Sequence, residues 1–203
     1  ARSVMPSEEL YMVQRISAEV LKESELIEDA ALLFIAMKAW HQVIQIVVHH
    51  AQSLVALGSN TTLEEGLIAI PDEIRAKPPW LLYWLGVCRL PFSPAESHQH
   101  LEKAFEIFRT QNDRTGMLLS WASGLDAFFH EFENFAPLDR YIRLWDDFLM
   151  AETTFLSKEI EAHVISSRFI LMLLRQMNHT EIEKWAERLW HILHEYDVDE
   201  NYR

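Results

Sequence analysis

Glycine is scarce in this chain, with five in 203 residues. Antiparallel sheets use glycine in many tight turns, so the scarcity argues against a sheet protein. No segment alternates apolar and polar residues beside turn signals, and no strand is expected. Cysteine is scarcer still. The single Cys88 cannot form an internal disulfide, which fits a reducing compartment, and a cytoplasmic location is expected. Cys88 sits in the most apolar stretch, where an inert buried thiol is expected rather than a nucleophile. Positive charge is short as well: 18 Lys and Arg against 31 Asp and Glu leave a net charge of −13. That field repels phosphate backbones, so direct nucleic-acid binding is not expected.

Signatures of catalysis are missing. The chain has no G-x-x-x-x-G-K-[ST] phosphate loop, no HExxH, and no Glu three residues before any of its ten histidines. No nucleophile elbow or glycine-rich oxyanion loop accompanies Ser123, Asp126 and His130, although these three share a helical face. No catalytic residue, metal site or cofactor is expected. The chain starts Ala1-Arg2-Ser3 without an initiator methionine, as an excised fragment or processed product would. No basic leader precedes an apolar run, so no signal peptide is visible. Residues 39–63 carry no Asp, Glu, Lys or Arg, and are long enough to cross a bilayer. Gln42, Gln45, His49 and Gln52 nevertheless fall on one face of that stretch. Lipid would not tolerate such a face, so it is expected to meet water or a groove, and no membrane contact is expected.

Helical periodicity is what the chain has in abundance. Nearly half of its residues are hydrophobic, and they recur at spacings of three and four. Nine or ten helices are expected, joined by short corners, so neighbours run antiparallel. The region 61–108 is the plainest. A short helix opens at Thr62-x-x-Glu65, a capping box, and ends at Ile70-Pro71. Pro78-Pro79 blocks continuation, and an all-round apolar helix, Trp80 to Leu90, follows. Ser93-Pro94-Ala95-Glu96 restarts the chain as a second capping box.

Three pairs, Ala104 and Phe108, Tyr141 and Trp145, Ala186 and Trp190, repeat a small or ring residue followed four positions later by an aromatic. The small member lets two helix backbones approach, and the ring fills the gap to the next hairpin. Trp190 is therefore expected to be buried, with a cost of about 3–5 kcal/mol for its truncation. The expected fold is all-α: an α-α superhelix of stacked antiparallel hairpins, tetratricopeptide-like, forming one domain over 1–203. Residues 1–24 can belong to a preceding module, and 197–203 form a frayed tail.

The stretch Leu63-Glu64-Glu65-Gly66-Leu67-Ile68-Ala69-Ile70-Pro71, followed by Lys77-Pro78-Pro79-Trp80-Leu81-Leu82-Tyr83-Trp84-Leu85-Gly86, resembles the tetratricopeptide-like region of MalT-type bacterial transcriptional regulators. Asp113-Arg114-Thr115-Gly116 and Pro137-Leu138-Asp139 share the resemblance, which covers roughly residues 25–195. In that family the helical repeats act as a sensor and interaction arm, while nucleotide and DNA bind elsewhere. The resemblance implies a fragment of a longer regulator and carries no ligand-contact motif.

In stacked hairpins the first helix of each pair lines the concave face. That places Ser120, Ser123, Asp126 and His130 on one lining helix, and His163, Ser166 and Ser167 on another, with Tyr83 and Arg89 ahead of them. Of these, Tyr83, Arg89, Ser123, Asp126, His130, His163 and Ser167 are the candidate groove residues, for a protein or peptide partner or a small inducer. The alternatives are a free-standing adaptor or assembly scaffold and, further off, an all-helical enzyme or cofactor binder.

Overall fold

The corners are made by residues that do not advertise themselves. Glu25, Lys38 and Asn112 take left-handed backbone, at φ of 61°, 56° and 55°, and only Gly58, at 80°, is a glycine in that role. Left-handed backbone costs a non-glycine residue roughly 1–2 kcal/mol, so packing on either side of these corners holds them in place. The computed structural model describes residues 7–131, 136–149 and 155–200, without the side chains of 7, 130, 131 and 195–200.

Every regular element among the described residues is helical. In order they are α1 Ser7–Glu23, α2 Ile27–Ala36, α3 Trp40–Ala56, α4 Asn60–Ala69, α5 Asp72–Arg75, α6 Pro79–Arg89, α7 Pro94–Gln111, α8 Arg114–Glu131, α9 Leu138–Leu144, α10 Lys158–Arg175 and α11 Ile182–Glu200. Eleven helices stand where nine or ten were expected. The extra one is α5, a single turn that brings Arg75 back under α4. There its guanidinium donates to the Leu67 carbonyl at 3.1 Å and pairs with Asp72. A terminal carbonyl of α4 is satisfied in this way. No helix among the described residues is long and apolar enough to cross a membrane.

The chain forms two compact units, Ala1–Cys88 and Arg89–Arg203. In the first, α2 packs on α1, α3 and α4. Phe34, Val43, Ile46, Val47, Leu63 and Leu67 form its centre, with Leu81, Leu85 and Cys88 of α6. Burial pushes the Cys88 thiol up to about 12, helped by the Glu64 carboxylate, so the expectation of an inert thiol holds. Neither capping box forms. α4 starts at Asn60, and the Ser59 hydroxyl donates to Glu28 at 2.5 Å instead. Ser93 makes no capping bond at the start of α7, and Glu96 lies 3.3 Å from Arg89.

In the second unit, α8 packs on α7 and α10, and α10 on α11. The Asp113 carboxylate accepts from the Gly116 amide at 2.9 Å and starts α8. A Cβ on Gly116 would fall within the Phe108 ring, so glycine at that position lets α7 and α8 close. Ser157 caps α10, accepting from the Ile160 amide at 3.3 Å. Ahead of α11 the His179 ring accepts from the Glu181 amide at 3.2 Å.

A ladder of indoles crosses this unit. Trp121 of α8 lies 4.9 Å from Trp145, which lies 5.5 Å from Trp185 of α11. The Trp121 indole N–H donates to the Tyr141 carbonyl at 2.9 Å. Trp145 opens a π-helical segment, Trp145–Leu149, that continues α9 and buries both its end residues. Arg114 closes that segment by donating to the Leu149 carbonyl at 2.8 Å. Trp190 corrects one expectation: it is 62% exposed and stacked on His194, while Trp185, half-buried, is the indole that packs on Trp145. Because α11 starts at Ile182, Trp185 falls within its first turns and meets Trp145. Trp190, five residues on, turns away by about 140° at 100° per residue.

Candidate functional site

α3 carries no charged residue from Trp40 to Ala56, and its polar side chains are sorted onto one side. Val43, Ile46, Val47, Ala51 and Leu54 face the core. Gln42, Gln45 and His49 fall opposite and line an open cleft of about 640 Å³. Its floor is apolar, from Phe34 and Ile46; His41, His50 and Lys22 complete the wall. The His49 Nδ1 lies 2.7 Å from the Gln45 carbonyl oxygen. A carbonyl only accepts, so Nδ1 carries the proton and Nε2 is left as an acceptor. The Lys22 ammonium is tied to Glu19 at 3.2 Å.

The cleft therefore offers carboxamides and imidazoles, able to donate and accept, over an apolar base. Among the described residues no carboxylate lines it. In a chain of net charge −13, that makes it a place for a neutral polar or anionic group rather than a cation. Gln42, Gln45 and His49 were visible in the sequence as a polar face. Lys22, which arrives from α1, was not, because only the α1–α2–α3 packing brings it near. Gln52, on the same face, is exposed but does not line the cleft.

The candidate groove residues are placed differently. Tyr83 is buried in the first unit, edge-on to Trp80 and Trp84 with centroids 5.6 and 4.9 Å away. Arg89 is half-buried beside Glu96. Ser123 and Ser167 are buried, and the Ser167 hydroxyl donates to the His163 carbonyl at 3.0 Å. Asp126 of α8 and His163 of α10 meet at 2.8 Å, each about a third exposed. His130 lies outside the described side chains. The structure thus brings Asp126, His163 and Ser167 together between α8 and α10. Asp126 pairs with a histidine from another helix.

One buried cation stands apart. Arg168 of α10 is 3% exposed, donates to the Gln176 side-chain carbonyl at 3.0 Å and lies 5.5 Å over the Trp145 ring. Burial depresses its pKa, while Asp146 and Glu181 act the other way. Neither carboxylate reaches ion-pair distance among the described residues. Among those residues no group of three His, Cys, Asp or Glu side chains could hold a metal ion. Compared with known proteins, the chain matches no family model, no curated protein and no solved structure.

Proposed function

We propose that this chain is a helical-repeat interaction and sensor module that takes its ligand in the α3 cleft. One observation carries the reading. The longest charge-free stretch of an acidic chain turns its amides and imidazoles into an open cleft above an apolar floor. Carboxamides and imidazoles over an apolar floor are suited to recognising a ligand by paired donors and acceptors. The ligand is a small polar molecule or a peptide segment with hydrogen-bonding groups on one side and an apolar part for Phe34 and Ile46.

A stacked, tetratricopeptide-like arrangement is part of the proposal. Its support is that helices pack on the next and next-but-one in sequence, α2 on α3 and α4, and α8 on α10. The motif residues Leu63 to Pro71 and Lys77 to Gly86 favour a place in a MalT-type transcriptional regulator over a free-standing adaptor. A reading frame with an upstream phosphate loop and a downstream DNA-binding helix pair would support that placement, and a frame with neither would point to the adaptor.

The ligand site is tested by thermal-shift screening of sugars, nucleotides and short peptides against wild type and Gln42→Ala/Gln45→Ala/His49→Ala. Gln45 and His49 are exposed and Gln42 is half-buried, and none belongs to the core, so the variant is expected to fold. Compounds that stabilise wild type but not the variant support the cleft. A screen in which every stabilising compound acts equally on both proteins refutes it.

A further inference from the structure

The outer face of α1 is apolar and, among the described residues, stands exposed. Ala18 is fully buried toward α2, whereas Val13, Ile16 and Val20 are 50%, 59% and 54% exposed. At about 100° per residue these three fall within an arc of about 60°, on the side of α1 opposite Ala18. Met12, 52% exposed, flanks them. Exposed apolar stripes of this kind mark binding faces. The same stripe continues into glutamate at both ends: Glu9 four residues before Val13, and Glu23 three residues after Val20, both exposed.

Those glutamates decide what fits. A second copy of α1 laid antiparallel about Ile16 sets Glu9 against Glu23 of the copy, and laid parallel it sets each glutamate against itself. Like charges oppose self-pairing in either direction. The two cations of this helix, Arg15 and Lys22, fall on the other side of α1 and cannot relieve it.

We propose that this face docks an amphipathic helix of a partner protein whose apolar stripe is bounded by Lys or Arg at each end. Val13, Ile16 and Val20 supply the contact area, and Glu9 and Glu23 set register by meeting the partner's cations. This surface is separate from the α3 cleft, so the two assignments stand or fall independently.

The test uses the full chain and two labelled helical peptides with leucines at spacings of three and four, one ending in lysines and the other in glutamates. Fluorescence anisotropy at low salt is expected to show the lysine peptide binding at least roughly fivefold more tightly, as two exposed charge pairs allow. Ile16→Asp, at an exposed position, abolishes binding. Glu9→Lys/Glu23→Lys reverses the preference toward the glutamate peptide. The Gln42→Ala/Gln45→Ala/His49→Ala protein binds as wild type does. Binding that survives Ile16→Asp, or a preference that survives the charge reversal, overturns the proposal in favour of general attraction to an acidic protein. Failure of both peptides to bind overturns it as well, as does concentration-dependent self-association that Ile16→Asp removes.

Discussion

Replacing Gly124 with alanine should destabilise the second unit, and removing one oxygen atom from Tyr141 should cancel the effect. Gly124 lies within α8, where alanine ordinarily gains about 1 kcal/mol in helix propensity. Here the added Cβ would overlap the Tyr141 hydroxyl and sit 3.2 Å from Cε1 and Cζ of that ring. The ring cannot yield. It is buried, edge-on to Phe128 with centroids 5.5 Å apart and packed on Trp121 at 6.3 Å. Overpacking of this kind costs about 1–3 kcal/mol, which outweighs the propensity gain. The expected net loss is about 1–2 kcal/mol, read as a fall in Tm of roughly 2–8 °C. In a Tyr141→Phe background the nearest contact is gone, and Gly124→Ala should be neutral or stabilise by up to about 1 kcal/mol. The coupling between the two sites is then about 2 kcal/mol. Urea unfolding followed by tryptophan fluorescence is the assay, because Trp121 and Trp145 report on this unit. An equal effect of Gly124→Ala in both backgrounds would refute the packing argument.

Gly66→Ala should do the opposite and stabilise by about 1 kcal/mol, because its Cβ would rest 3.5 Å from Ile35, an ordinary contact beside a small apolar void; thermal denaturation checks it. Arg168→Met should leave stability unchanged or raise it by about 1–2 kcal/mol, since a buried cation without an ion-pair partner among the described residues gives way to an apolar chain of similar length. A fall of more than about 2 kcal/mol in urea would mean that its bond to Gln176 and its place over Trp145 matter more than its desolvation. Cys88 should resist a thiol reagent in the native state at pH 8 and react fully in urea. Its thiol is raised from an ordinary value of 9.0 to about 12 in the fold. Between those values the unfolded chain has lost the proton and the folded one keeps it, so stability falls as pH rises through that window. The slope reaches about 1.4 kcal/mol per pH unit. Cys88→Ala should lack that part of the alkaline loss, and identical profiles for the two proteins would contradict the assignment.

What could be read from the sequence was what local spacing encodes. The proline corners at Ile70-Pro71 and Pro78-Pro79 marked off α4 and α6, and Cys88 in an apolar run announced its own burial. What could not be read depended on three-dimensional neighbours. Trp190 and Trp185 both sit on α11, five residues apart, and only the position of Trp145 decides which one packs against it. Glu25 and Lys38 turn corners in left-handed backbone that composition assigns to glycine. Thr62-x-x-Glu65 and Ser93-x-x-Glu96 read as capping boxes, yet α4 starts ahead of Thr62, at Asn60, and Glu96 found Arg89. The candidate site divides in the same manner. Gln42, Gln45 and His49 announce a polar face, whereas the groove expected from α6, α8 and α10 loses Tyr83, Ser123 and Ser167 to tertiary packing, which buries them. Asp126 and His163 meet there across helices 37 residues apart in sequence, a pairing no local spacing encodes.

The most direct measurement is two-dimensional NMR of the protein with a compound taken from the stabilising set of the screen. The account predicts that the side-chain amides of Gln42 and Gln45 and the His49 ring shift together and saturate at one ligand per chain. Shifts confined to Asp126, His163 and their neighbours, with the α3 resonances unmoved, would contradict it.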